Sequence, residues 1–261
     1  MHIAELTPQP GERSLVFGRS RTGKSAYQEW VARTVSDQRP NAMQILVDTK
    51  PRFRAETERM PVNPKGRRSA AWRYKGWAKG PVVPNSVAVD MDSAHPFRGL
   101  WTRPGEIAIL QGGDSRDWHR MLFLLTGFVN AQIGSRERRI VVDEVLDFYQ
   151  RNTFGIDMKH DIFYRTARAG GERGIGLDLG AHRVHGLPPL VISQMSCITL
   201  FHLANNKDMD YLRDYGITDA ESPEGDYIFR HYKVSPGGKV ASVCQGRCNY
   251  PQSYLDQLAA S

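Results

Sequence analysis

The chain has 261 residues, 40% of them hydrophobic, which is enough to build the core of one large domain. It carries 35 basic and 28 acidic residues, a net charge of +7, and three cysteines, too few and too late in the chain for a disulfide framework. No run of about 18 apolar residues occurs, so no membrane-spanning helix is expected, and the start Met1-His2-Ile3-Ala4-Glu5-Leu6 lacks the basic and apolar stretches of a secretory leader.

Residues 1–13 are polar, hold Pro8 and Pro10, and read as a lead-in with at most a short edge strand. Ser14-Leu15-Val16-Phe17 is an apolar run fit for a buried strand. Gly18-Arg19-Ser20-Arg21-Thr22-Gly23-Lys24-Ser25 follows and reads G-x-x-x-x-G-K-S, the P-loop signature. A helix is expected from Lys24 to Val35. Strand, glycine loop and helix N-terminus together aim backbone N–H groups and the positive helix end at one anion. All eight loop residues are candidates for nucleotide contact, with Lys24 reaching the outer phosphates and the Ser25 hydroxyl ligating magnesium. Small residues are commoner than Arg19 and Arg21 inside such a loop, and the two are expected to face solvent or a neighbouring subunit.

Met43 to Asp48 reads as a second strand, whose buried-run pattern suits a parallel sheet. Asp48-Thr49-Lys50 stands at its carboxyl end, where open α/β sheets bind ligands. Asp48 is either part of a nucleotide site or a strand-end turn residue. Residues 50–104 then interrupt the rhythm with seven prolines. They read as a long basic insertion of little regular structure, with one strand near Ser86–Met91. Between Lys50 and Lys79 ten basic residues face only Glu56 and Glu58, a net of +8 that leaves the rest of the chain at −1. Charge this local is expected of a polyanion-binding surface on a near-neutral body. Arg67, Arg68, Arg73 and Lys75, interleaved with Trp72, Tyr74 and Trp77, are the candidate DNA contacts. The alternative is a solvated arm that packs on a neighbouring subunit.

Glu106 to Gln111 reads as a third strand, and Asp117 to Gln132 as an amphipathic helix with Met121, Leu122, Leu125, Phe128 and Val129 at helical spacing. Arg139-Ile140-Val141-Val142-Asp143-Glu144 has strand character ending in two carboxylates, the Walker B pattern. Asp143 would hold magnesium with Ser25, and Glu144 would polarise the attacking water. A helix at Asp161–Arg168, a loop at 170–174, a strand at Ile175–Gly180 ending in Ala181-His182-Arg183, and a short helix at Pro188–Gln194 follow. A strand at Ser196–Leu203 and a helix at Asn206–Tyr215 come next. Residues 226–243 alternate like a β-hairpin that turns at Ser235-Pro236-Gly237-Gly238. The tail 249–261 reads as a short terminal helix. Cys244 and Cys248 are four apart but no second close pair completes a metal site, so free thiols are expected.

The order of these motifs resembles the FtsK/HerA branch of P-loop ATPases, and within it the genome-packaging ATPases of tailless, membrane-containing viruses. The resemblance covers most of residues 14–216. It rests on the P-loop, the strand Ile45–Asp48 with Thr49-Lys50, the pair Asp143-Glu144, and above all on Arg168-Ala169-Gly170-Gly171-Glu172-Arg173-Gly174-Ile175-Gly176-Leu177. That block leads through Leu187-Pro188-Pro189, Ile192-Ser193-Gln194 and Phe201-His202-Leu203 to Asn205, Asp208 and Leu212. The resemblance implies an ASCE, RecA-like fold: a mostly parallel sheet flanked by helices, in a single P-loop ATPase domain over 1–261 with the basic insertion and a C-terminal hairpin. It also implies an arginine that acts in trans on a neighbour and a polar sensor at the end of the next strand. The chain departs from the pattern twice. The sensor, usually glutamine followed by Arg-Pro, is His182 followed by Arg183 and Val184. The usual place of the arginine holds Gly171, so Arg173, Arg168 or another residue must serve, each equally readable as a solvated loop arginine.

The function implied is an ATP-driven pump of double-stranded DNA that fills a preformed viral capsid, using ATP and Mg2+. Its partners would be a homo-oligomeric ring, pentamer or hexamer, and proteins of a capsid vertex or portal. It would work in the host cytoplasm during assembly, with retention at a virion vertex a further option. The alternatives are another FtsK/HerA-type pump in conjugation or chromosome or plasmid transfer, and a P-loop kinase of small molecules. The kinase reading is opposed by the glutamate after Asp143 and by the +8 segment. A nucleic-acid binder without turnover is opposed by the complete Walker pair.

Overall fold

The computed structural model describes residues 6–50, 54–58, 82–89, 91, 97, 100, 103–112, 115–131, 136–150, 161–203, 206–215, 217, 222–225, 227–235 and 239–248. In chain order these form β1 (Arg13–Phe17), α1 (Lys24–Gln38), β2 (Met43–Asp48), β3 (Arg54–Glu58), β4 (Val82–Ala88) and β5 (Ile107–Gln111). There follow α2 (Ser115–Asn130), β6 (Arg138–Val142), α3 (Leu146–Gln150), α4 (Ile162–Ala169), a 3-10 turn (Gly171–Arg173) and β7 (Ile175–Ala181). The last are α5 (Pro189–Ile192), β8 (Cys197–Leu200), α6 (Asn206–Asp214), β9 (Ile228–Val234) and β10 (Val240–Arg247).

The strands make one sheet in the order β10-β9-β8-β1-β7-β6-β2-β5-β4-β3. Every pairing from β8 to β3 is parallel, and β9 and β10 add an antiparallel hairpin at one end. The central strands are almost wholly buried and largely apolar because both faces are covered. Leu15, Phe17, Ile45, Val47, Ile140, Val142, Leu177 and Leu179 share one core with α2, α3, α4 and α5. The alternate residues Val16, Leu46 and Val141 pack on the other face, in the clusters that α1 joins through Ala32 and through Tyr27, Val31 and Val35. Strand carboxyl ends from β8 through β3 therefore lie on one edge, and β7 separates the P-loop strand from the Walker B strand.

The interval 50–104 departs from the expected irregularity. β4 begins at Val82, before the expected strand, and β3 adds a further parallel strand beyond it. Neither has an unbroken apolar run: in β4 only Val83 and the stretch from Ser86 to Ala88 are buried, and Pro84 and Asn85 are exposed. The register slips between Ala55 and Thr57, where Asn85 has φ 52° and its N–H donates to Glu56 Oε2 at 2.6 Å. A proline cannot donate to the ladder, and the slip accommodates it. The short helix α3 was also not expected. The four candidate DNA contacts, the aromatic residues among them, most of the hairpin turn at 235–238, and the tail 249–261 lie outside the described residues.

The sheet centre holds one buried ion pair. Arg139 of β6, fully buried, donates through Nε to Asp178 Oδ2 of β7 at 2.5 Å and through Nη2 to Oδ1 at 3.1 Å. Ser14 of β1 donates its hydroxyl to the same Oδ1. Gly176 makes room, since a Cβ there would lie 2.5 Å from Arg139 Nη1. Removing one partner leaves an uncompensated buried charge. Arg139→Met and Asp178→Leu should each cost about 3–5 kcal/mol, and the double variant should recover part of that loss. Urea unfolding of the three variants measures this, and additive losses would show that the two charges do not support one another.

Candidate functional site

The loop after β1 is held from both flanking strands. Gly18 N donates to Ala181 O at 3.2 Å, at the end of β7, and Arg19 N donates to His202 O at 3.0 Å, just beyond β8. Thr22 Oγ1 donates to Arg19 O at 2.8 Å and closes the loop on itself. Glycine is required at two points. A Cβ at Gly18 would lie 2.6 Å from the Phe201 Cβ, and Gly23 has φ 110°. Arg21 also has φ 69°. Arg19, Ser20 and Arg21 are exposed, as expected for the two arginines, whereas Thr22, Gly23, Lys24 and Ser25 are buried.

Helix α1 starts at Lys24 with no side-chain cap and no acid in its first turn. In α4, by contrast, Asp161 caps the helix by accepting from Phe163 N and Tyr164 N. The α1 terminus thus keeps its N–H groups and positive end for an anion in the loop.

Three strand ends meet there. Lys24 Nζ lies 3.3 Å from Glu144 Oε2 and 3.4 Å from Asp143 O, with Lys24 5% and Glu144 3% exposed. His182, at the end of β7, places Nδ1 2.9 Å from Glu144 Oε2 and donates its backbone N–H to Oε1 at 3.3 Å. Arg183 Nε lies 3.0 Å from His182 Nε2, so that ring nitrogen accepts and Nδ1 carries the proton. Burial alone would raise the Glu144 carboxyl, but the Lys24 ammonium and the His182 hydrogen bond outweigh it and bring it down to about 2.

Asp143 is set from β2. Its Oδ1 accepts from Thr49 N at 2.9 Å and lies 3.1 Å from the Thr49 hydroxyl, which is also 2.9 Å from Asp147 Oδ2. Lys50 Nζ is 3.8 Å from that same Asp147 oxygen. Among the described residues no group of three His, Cys, Asp or Glu side chains forms a metal cage. Magnesium does not need one, because it keeps waters and phosphate oxygens and takes one or two carboxylates. The hard oxygens of Ser25 and Asp143 fit that requirement and could hold the ion.

Asp48 accepts from Gln111 Nε2 at 2.7 Å, a link between β2 and β5 at this edge. Arg168 and Arg173 stand at the other edge. They precede β7, whose seven residues span about 20 Å, so neither reaches the loop of its own chain. Both are exposed, and Arg173 Nη2 donates to Val129 O at 2.8 Å. Among the described residues the three cysteines form no disulfide with one another, and Cys244 and Cys248 pack against the aromatic cluster of Tyr27, Phe201 and Phe229.

Three further residues position these groups; Thr49 and Asp208 stand in the motifs read from the sequence but without a role, and Gln28 stands in none. Thr49 orients Asp143. Gln28, one turn after Lys24, donates Nε2 to Val142 O at 2.8 Å and ties α1 to the Walker B strand. Asp208 accepts from Val184 N and His185 N at 2.9 Å each and fixes the chain just after His182. The signal for Gln28 is a polar residue on a buried helical face.

Fold and loop together define an α/β domain with the architecture seen in P-loop NTPases. Solved structures with this fold include two packaging enzymes and one multi-ATPase protein. The genome packaging NTPase B204 of Sulfolobus turreted icosahedral virus 2, in complex with AMPPCP, is 14% identical with a TM-score of 0.57, over 92% of this chain and 98% of that one. The DNA-packaging ATPase B204 of Sulfolobus turreted icosahedral virus is 15% identical with a TM-score of 0.55, over 92% and 99%. EssC (ATPases 2 and 3) of Geobacillus thermodenitrificans is 10% identical with a TM-score of 0.52, over 96% of this chain and 43% of that one. No protein-family model and no curated protein matches the sequence.

The depressed Glu144 carboxyl has a consequence for acid stability. A carboxyl that titrates near 2 when folded and near its ordinary value of about 4.3 when unfolded stabilises the fold above the higher value. That contribution is lost as pH falls from about 4.5 towards 2. Glu144→Gln cannot titrate, so its stability should fall less over this window, by about 1–3 kcal/mol. Urea midpoints at a series of pH values measure the difference, and parallel acid limbs would remove the Lys24 and His182 contacts as its cause.

Proposed function

We propose that this chain is an ATP-driven translocase of double-stranded DNA that packages a viral genome into a preformed capsid. The hydrolytic part is carried by one observation: Lys24, Glu144 and His182 from three neighbouring segments meet within hydrogen-bonding distance above a glycine loop. The backbone N–H groups of the loop and α1 take the triphosphate, and Lys24 takes its outer phosphates. Ser25 and Asp143 would hold magnesium, which would supply charge neutralisation at the phosphates. Before the nucleotide enters, Lys24 occupies Glu144. Phosphates that draw Lys24 away leave the carboxylate to orient water, while His182 keeps hold of it.

The packaging part is supported by the fold shared with packaging NTPases along nearly their whole length, and by the concentration of charge between Lys50 and Lys79. Arg168 and Arg173, remote from their own loop, suit a site completed by a neighbour in a pentameric or hexameric ring. Arg67, Arg68, Arg73 and Lys75 supply phosphate contacts that hold DNA without reading its sequence. The work would be done at a capsid vertex or portal in the host cytoplasm.

Glu144→Gln should bind ATP as the parent does and lose turnover at least a hundredfold, since the amide takes no proton from water. Parallel binding and DNA-stimulated phosphate-release assays test this, and near-parental turnover refutes the Walker B assignment. Arg168→Ala or Arg173→Ala should be inactive alone and regain activity when mixed with Lys24→Ala chains, because an intact loop then meets an intact arginine. Normal DNA-stimulated turnover in either variant excludes that residue. Replacing Arg67, Arg68, Arg73 and Lys75 by alanine should flatten the slope of log affinity for duplex DNA against log salt by about 0.9 per lost contact, up to roughly 3–4 in all. An unchanged slope moves this segment from the DNA path to a subunit contact.

A further inference from the structure

We infer that Tyr227 is the residue on which the base of the nucleoside triphosphate stacks. The inference rests on the reading of the P-loop as a nucleotide site. The groups that address the outer phosphate lie to one side of β1: Glu144 beyond β6 and His182 beyond β7. A nucleotide whose outer phosphate faces them must run its ribose and base the other way, past β8 towards β9. Tyr227 is the residue immediately before β9. Leu200 pairs with Arg230, so the start of β9 lies at the same sheet edge as the end of β8 and the loop.

The ring touches the loop itself. A Cβ on Gly23 would lie 2.8 Å from Tyr227 Cδ1, and Tyr227 N donates to Thr22 O at 3.1 Å. Its carbonyl accepts from Cys248 N at 2.9 Å, so the hairpin fixes its backbone from both sides. Phe201 also lies against Gly23, but it is fully buried and offers no face to a ligand, whereas Tyr227 is half-buried. Tyr227 has φ 63°, a conformation in which an aromatic residue is an outlier. Arg21, in the loop, shares that region, and such strain gathers where a ligand is clamped. An aromatic face beside the phosphate loop accepts any base, because every base has a π-face.

The test compares AMPPNP with inorganic tripolyphosphate, each with magnesium, by calorimetric titration of the full chain. Tyr227→Asn removes the ring while tolerating the left-handed backbone. It should weaken AMPPNP about tenfold or more and leave tripolyphosphate within twofold, and Tyr227→Phe should bind both as the parent does. In Tyr227→Trp the indole emission should be quenched by AMPPNP and not by tripolyphosphate, which keeps the inference testable if Tyr227→Asn does not fold. Equal weakening of both ligands, no weakening of AMPPNP, or quenching by neither ligand overturns the inference and leaves the phosphate site standing. A parent chain that binds neither ligand overturns the P-loop reading, and this inference with it.

Discussion

Three central strands must hold one register for anything at their carboxyl edge to function, and the buried contact of Arg139 with Asp178 and Ser14 fixes it. Arg139 belongs to β6, Asp178 to β7 and Ser14 to β1, the strands that end at Glu144, His182 and the P-loop. A slip of one residue would turn each strand's core face outward and also part this charge from its partner. Arg139 and Ser14 are each second in their strands and Asp178 is fourth of seven in β7, so the ion pair lies short of the carboxyl ends that carry Glu144 and His182. Sheet stiffness carries the alignment between them.

At the carboxyl edge the same side chains serve two states. Glu144 is ionised and engaged by Lys24 and His182. This satisfies a buried charge that would otherwise be costly, and under the proposed function it would keep the carboxylate occupied until phosphates compete for the lysine. Thr49 and Gln28 do the corresponding work for Asp143 and for α1. One turns the Asp143 carboxylate, and the other pins α1 to the strand that leads into it.

The sequence made much of this legible, for physical reasons. Runs such as Met43–Asp48 are largely apolar because both their faces are covered, and the P-loop and Asp143-Glu144 are local patterns dictated by local chemistry. The strand β3 and the first half of β4 were hidden because Pro84, Asn85 and Glu56 make a register slip, and its polar residues read as loop. Gln28 and Tyr227, and the roles of Thr49 and Asp208, were hidden for a different reason. Each acts through a partner between about 20 and more than 200 positions away in the chain, and no spacing rule encodes such a meeting. The departures at His182 and Gly171 were visible as departures, but only the folded chain shows that His182 grips Glu144 and that the nearby arginines stand at the far edge.

That separation bears on symmetry. A two-fold contact presents the same patch twice, so a donor at one edge of the sheet and an acceptor at the other could meet only if the interface ran the full depth of the domain. Two distinct patches on opposite edges instead define a heterologous, head-to-tail contact. Repetition of such a contact generates a closed cycle when the rotation per subunit divides a full turn, and an open helix when it does not. If Arg168 or Arg173 serves in trans, the tilt of one sheet on the next decides between a ring of fixed number and a filament without end.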